Sequence, residues 1–250
     1  GEKEFAFNSV LGQLFFGLAS FISPLIYSYL IISLSVGNEN SNNIILFFKK
    51  ITLPDLRWVS LYWIFSLVSF LMCVTLIFTN FPEKKKPNRE NKEKLNTYII
   101  LIKNPIVILY FFGIFSYVGL EQGVANWISK FLEIYHSLNP QNVGAKIISY
   151  FWGLMTLGTI SGLFLLKILD SRKILVFFTS TSIISLLLAV FGPLYVSLVS
   201  FPLIGFFIST MWSIIISLAL NSMSENHGTF SGILVSGIIG GAFFPLIIGI

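Results

Sequence analysis

Charge is scarce in this sequence. Asp, Glu, Lys and Arg make up 11% of its 250 residues, where a soluble domain of this size carries about 25%. Too few polar groups are present to cover a water-facing surface. Cysteine is nearly absent: Cys73 stands alone in an apolar run, so no intramolecular disulfide can form. Only two histidines occur, His136 and His227, far apart and in or beside loops, without a metal-ligand companion at useful spacing. H-E-x-x-H, G-x-S-x-G and P-loop patterns are missing, which leaves no enzymatic constellation, and neither a metal nor a cofactor is expected. Gly1 to Asn8 lacks the basic region and short apolar core of a cleavable signal peptide. The last apolar run holds no lysine, which excludes a retinal-type seven-helix protein.

Apolar residues fill the space that charge leaves. They make up 55% of the chain, and mean hydropathy is +0.84. From Ile174 to Ser224 no Asp, Glu, Lys or Arg occurs, and Gly192-Pro193 is the one strong break. A run of about 18 apolar residues crosses a hydrocarbon core as a helix. Seven such spans are predicted, at 7–33, 58–80, 105–127, 145–167, 173–191, 194–220 and 228–250. Helix is preferred to barrel strand because the runs are long and do not alternate. The fold class is therefore an all-α polytopic membrane protein, with the lipid bilayer as its surroundings.

Net charge is +5. The basic residues cluster between spans, which points to an anionic leaflet and not to nucleic acid. With segment 81–104 placed in the cytoplasm, eleven of the sixteen Lys and Arg residues fall inside, as the positive-inside rule requires. That puts the N-terminal end of the chain inside as well. The same segment begins FPEKKKPNRENKEKLN, a linker composition, and it separates two spans from five. Seven spans leave the two ends on opposite sides, the chain does not begin with Met, and Ile250 ends inside an apolar run. A fragment is the expectation.

Polar groups inside spans are costly and mark candidate sites. Glu121 is the one acidic residue well inside a span. At 1.5 Å per residue from Pro105 it lies ~24 Å in, toward the outer third of a span ending at 127. Tyr110, Gly113, Tyr117 and Glu121 share one helix face. Ser209, Ser213 and Ser217 recur every four residues, with Trp212 beside them. Hydroxyls with an indole suit a polyol, although serines also bond their own helix carbonyls or ease packing. Gln13 is the one amide well inside the first span, and either a solute or a neighbouring helix would satisfy it. Tyr150, Trp152, Thr156 and Thr159 are further polar or amphipathic groups. Gly228, Gly232, Ser236 and Gly240 form a small-residue stripe that reads as packing.

Several stretches resemble one family. YVGLEQGVANWISKFL (Tyr117 to Leu132) resembles the seventh helix of the fucose/glucose/galactose–proton symporters within the major facilitator superfamily, and FWGLMTLGTISG (Phe151 to Gly162) the eighth. GFFISTMWSIIISLAL (Gly205 to Leu220) is similar to the tenth, and GILVSGIIGGAFFPL (Gly232 to Leu246) to the eleventh. FNSVLGQLFFGLASFISP and WVSLYWIFSLV resemble the fifth and sixth. Thr159 follows Gly158 where the family usually has Arg, and Leu14 stands where some members have a sugar-contacting Asn.

The resemblance implies helices five to eleven of an incomplete twelve-helix bundle. Residues 1–80 would end the N-terminal half, 81–104 would be the cytoplasmic inter-half loop, and 105–250 would be the C-terminal half without its last helix. It implies sugar–proton symport by alternating access in the inner membrane, as a monomer, with sodium the alternative coupling ion. The family's coupling acids lie in helices that this sequence lacks. Gln13, Ser209, Trp212 and Ser213 are then expected to line the sugar path. Tyr117, Glu121 and Asn126 are the polar intramembrane groups expected to act in gating near the outer mouth. The alternatives are a carrier of another small solute on the same fold and a membrane scaffold subunit that transports nothing.

Overall fold

The computed structural model describes residues 2–35, 43–79, 91–223 and 225–249, with side chains omitted for 2–14, 54, 91–95 and 167. Eleven α-helices run through these residues: α1 Glu2–Ser35, α2 Asn43–Ile51, α3 Ser60–Phe78, α4 Asn91–Ile102, α5 Pro105–His136, α6 Ala145–Ile168, α7 Ser171–Phe191, α8 Leu194–Ile208, α9 Met211–Asn221, α10 His227–Ser236 and α11 Gly240–Ile248. No strand occurs among the described residues. Seven segments among the described residues are long and apolar enough to cross a membrane, and they coincide with the seven predicted spans to within about five residues except at the end of α5 and in the first span, which starts at Phe15 and not at 7. The protein is an integral membrane protein with an all-α fold.

Helix ends follow local chemistry. Asn104 caps α5, its side chain accepting from the Ile106 amide at 2.9 Å, and Pro105 occupies the first turn, where its missing N–H costs nothing. Asp170 caps α7 in the same way, through the Arg172 amide at 2.8 Å. The Gly192-Pro193 break falls between α7 and α8 as predicted. At the other end α5 overruns its predicted limit by nine residues. Lys130 and Glu133 end the apolar run, but they pair at 2.8 Å on the helix surface, and the helix stops only where Ser137 turns left-handed at φ 54°. Within the segment read as linker, Asn91–Ile102 is helical. Its apolar end, with Leu101 buried beside Val107 and Phe230, gives the helix something to pack on.

Two compact units make up the chain, residues 1–21 with 89–250 and residues 22–88. In the larger unit α6 lies along α8, α7 along α8, and α11 along α5. Lipid offers apolar side chains no hydrophobic gain on pairing, so such helices associate by close fit at small residues. A Cβ at Gly158 would meet the Phe206 carbonyl and Ser209 Oγ, each at 2.5 Å. A Cβ at Gly205 would collide with the Phe151 carbonyl, and one at Gly240 with that of Phe115. The small-residue stripe expected to serve packing does so at Gly240, whereas Gly228 has open space around it. The core cluster runs from Ile114 and Ile128 to Phe151, Ile204 and Ile214, all buried.

In the smaller unit the apolar patch Ile44 to Phe48 belongs to α2, whose Ile45 and Phe48 are buried against Leu30 and Leu34. Lys49 and Lys50 fall in its last turn, where the helix dipole favours cations. Arg57 donates to Ser35 Oγ at 2.8 Å.

Candidate functional site

Three interruptions of regular helix place the site. The sixth span is not one helix: α8 ends at Ile208, Ser209 and Thr210 form a turn, and α9 begins at Met211. The seventh span is interrupted by a 3-10 turn at Gly237–Ile239. Pro202 lies inside α8 and removes one backbone donor before the first break. Non-helical backbone at membrane depth is tolerated where it is buried in protein or lines a cavity. Both breaks do so here, for Ser209, Trp212, Ser213 and Ile238 line one cavity of about 420 Å³. Solute pockets typically measure ~300–1,000 Å³.

Helix α5 supplies the acidic wall. Tyr117 and Glu121 lie one turn apart, and the Tyr117 hydroxyl donates to Glu121 Oε2 at 2.5 Å. Gln122 Nε2 donates to the other carboxylate oxygen, Oε1, at 3.0 Å. Because α5 continues to His136, Glu121 is central in its helix, ~24 Å from the start and ~22 Å from the end at 1.5 Å per residue. Glu121 lines the same cavity as Trp212. Among the described lining residues there is no Lys, Arg or His, so the carboxyl is held by neutral donors.

Helix α6 supplies the opposite wall with Trp152, Met155, Thr156 and Thr159, and α1 supplies Phe16 and Gly17. Thr156 and Thr159 donate to the carbonyls of Trp152 and Met155, at 2.9 and 3.0 Å. Ser209 donates to the Phe206 carbonyl at 2.7 Å. These hydroxyls therefore face the cavity as acceptors, their protons already committed to backbone. Thr210 Oγ1, at the break itself, is buried with no hydrogen-bond partner among the described residues. The rings are arranged around the polar groups. The Phe16 and Trp152 rings meet edge-on at 5.8 Å, and Tyr117 and Trp212 are 6.2 Å apart and tilted by 50°. A cavity with aromatic walls, an acidic group and surplus acceptors favours a solute rich in hydrogen-bond donors.

Of the residues singled out from sequence, the cavity brings together Tyr117, Glu121, Ser209, Trp212 and Ser213. Asn126 is exposed and lies outside the lining. The side chain of Gln13 lies outside the described residues, one helical turn from Gly17 along α1. Ser217 is exposed and outside the lining, since the turn at Ser209 and Thr210 separates the serine stripe into two helices. Tyr110 packs with Val107 and Phe230 near the start of α5. Trp152, Thr156 and Thr159 were named as polar groups of their span but not assigned to the sugar path, although their i, i+4, i+7 spacing sets them on one face. Gln122 carries a weaker signal, its adjacency to Glu121.

Comparison with known proteins agrees with this architecture. The profile of the Major Facilitator Superfamily matches residues 1–245. A Helicobacter pylori strain J99 protein named "Putative glucose/galactose transporter" is 28% identical over 246 residues, covering 97% of this chain and 57% of that protein. A "Glucose/galactose transporter" of Brucella abortus biovar 1 is 34% identical over 149 residues, 57% of this chain and 35% of that protein. A "Protein TsgA homolog" of Buchnera aphidicola subsp. Schizaphis graminum is 25% identical over 244 residues, 96% of this chain and 55% of that protein. The crystal structure of a Major Facilitator Superfamily transporter, FucP, in the outward conformation superposes with a TM-score of 0.60 at 17% identity, over 84% of this chain and 51% of that one. The chain thus spans about half the length of the Helicobacter and Buchnera relatives and of the solved structure. The chain belongs to the Major Facilitator Superfamily.

Proposed function

We propose that this chain is part of a secondary transporter that moves a sugar by alternating access, in symport with protons. The observation that carries the reading is the single cavity in which both broken spans meet the Tyr117–Glu121 pair and two indoles. Broken helices around a binding site are the usual construction in secondary transporters. Indole faces pack on the C–H surfaces of sugar rings, and the acceptors read hydroxyls. Two relatives carry glucose/galactose transporter in their names, which supports a hexose as the solute. Trp212, Ser209 and Ser213 line the sugar path, with Trp152 facing them, and Gln13 lies a turn further along α1. Residues 1–80 end one half of the carrier, 81–104 join the halves in the cytoplasm, and 105–250 belong to the other half. The protein works as a monomer in the inner membrane with its N-terminal end inside.

The test is uptake by the full-length protein in proteoliposomes. An imposed proton gradient should drive accumulation of radiolabelled D-glucose or D-galactose, and a sodium gradient should not. Sodium-driven uptake would replace the coupling ion. One observation favours a second reading: a carboxyl without a countercharge among aromatic rings also suits an organic cation. Uptake of tetramethylammonium without sugar uptake would select it, and no solute movement at all would favour a scaffold.

A further inference from the structure

We infer that Glu121 is a solute-binding carboxyl, the Tyr117 phenol and a solute hydroxyl competing for one of its oxygens. This role presupposes the carrier reading above. It replaces a gating role at the outer mouth with direct recognition.

The hydrogen bonds of Glu121 tie nothing together. Tyr117, Glu121 and Gln122 all belong to α5, four residues and one residue apart. Bonds that serve tertiary structure here link different elements: the Trp127 indole N–H donates to the Pro245 carbonyl at 3.1 Å, and Ser197 Oγ donates to the Ala189 carbonyl at 2.8 Å. A buried carboxyl that only braced the bundle would be expected to reach another helix or a cation. Glu121 reaches neither among the described residues, although it is 8% exposed and lines a cavity.

The chemistry of the walls completes the case. Thr156, Thr159 and Ser209 spend their protons on their own helices, so the cavity has more acceptors than free donors. An entering solute must bring donors of its own. A sugar hydroxyl is itself a donor, so it can take the place of the phenol on Oε2. The Tyr117 ring packs on Trp212, so the exchange takes place beside a lining indole.

The two partners then predict opposite signs. In the full-length protein, D-galactose and D-glucose binding is followed by the change in tryptophan fluorescence, with thermal melting as a check on folding. Tyr117→Phe keeps the ring against Trp212 but removes the competing hydroxyl, and should tighten binding by about two- to fivefold, a fraction of one hydrogen bond. Glu121→Gln loses the charge-assisted bond to the solute and should weaken binding by about tenfold or more. Equal or weaker binding by Tyr117→Phe would overturn the inference, because partners in a structural pair lose in the same direction. Tyr117→Phe decides the sign alone where Glu121→Gln does not fold. Should the parent bind tetramethylammonium and no sugar, the sugar reading fails. The same opposite signs measured with that probe would uphold the role of Glu121, and like signs would end it.

Discussion

At the scale of single residues the two indoles carry the clearest expectation. Trp212 sits in the first turn of α9, next to the break and against Tyr117. If its face packs on a sugar ring, Trp212→Ala should cost about 1–3 kcal/mol of binding in the full-length protein. Isothermal titration checks it, and unchanged affinity would leave Trp212 a packing residue. Trp152→Ala should behave alike, since Trp152 faces the same cavity from α6. Both tryptophans were visible in the sequence, but only Trp212 stood beside a hydroxyl stripe. Neighbours in sequence were legible as a site, while groups converging from α1, α5, α6 and α9 were not. Glu121 shows the reason: its residue type marked it as costly, yet the groups that share its cavity on α6 and α9 lie far from it in sequence.

At the scale of elements, close approach at glycine decides which helices can pair. Gly205→Ala would drive a Cβ into the Phe151 carbonyl, and Gly240→Ala into that of Phe115. Backbone atoms cannot step aside, so each substitution should separate its helix pair and destabilise the bundle by about 1–3 kcal/mol. Gly228→Ala meets nothing within 4 Å and should be neutral or slightly stabilising. Thermal melting in detergent separates the three, and a loss for Gly228→Ala equal to that for Gly205→Ala would count against this account. Apolar length alone made the seven spans legible. The turn at Ser209 and Thr210 was not, because neither residue forbids helix and their close neighbours, Gly158 and Gly162, are distant in sequence. Helix α4 was hidden by its charged first turns, which read as linker until Leu101 found a partner.

At the scale of the whole molecule, orientation rests on the distribution of basic residues. Cysteines placed at Ser137 and Asp170 in a Cys73→Ala background test it, since these positions flank α6 on opposite sides. A membrane-impermeant maleimide added to intact cells should label Ser137→Cys and spare Asp170→Cys. The reverse pattern would invert the topology and remove the assignment of 81–104 to the cytoplasm.

Helix α3 has a consequence of another kind. From Ser60 to Phe78 only Ser60 is buried, while apolar side chains such as Ile77 and Phe78 are largely exposed. Trp58, Tyr62 and Phe65 form a ladder of edge-on rings, at 5.7 and 6.3 Å, near one end. Among the described residues little tertiary contact fixes this helix along its own axis. Its depth is set by its length, about 28 Å at 1.5 Å per residue, and by rings that favour the headgroup level. In a bilayer holding this chain by itself, thickness should therefore govern its tilt: a thinner membrane should lean it over and a thicker one should draw it upright, while helices locked glycine to carbonyl keep their mutual angle. Solid-state NMR of labelled α3 in short- and long-chain phosphatidylcholine would read that tilt directly, making this helix a gauge of the lipid around the protein.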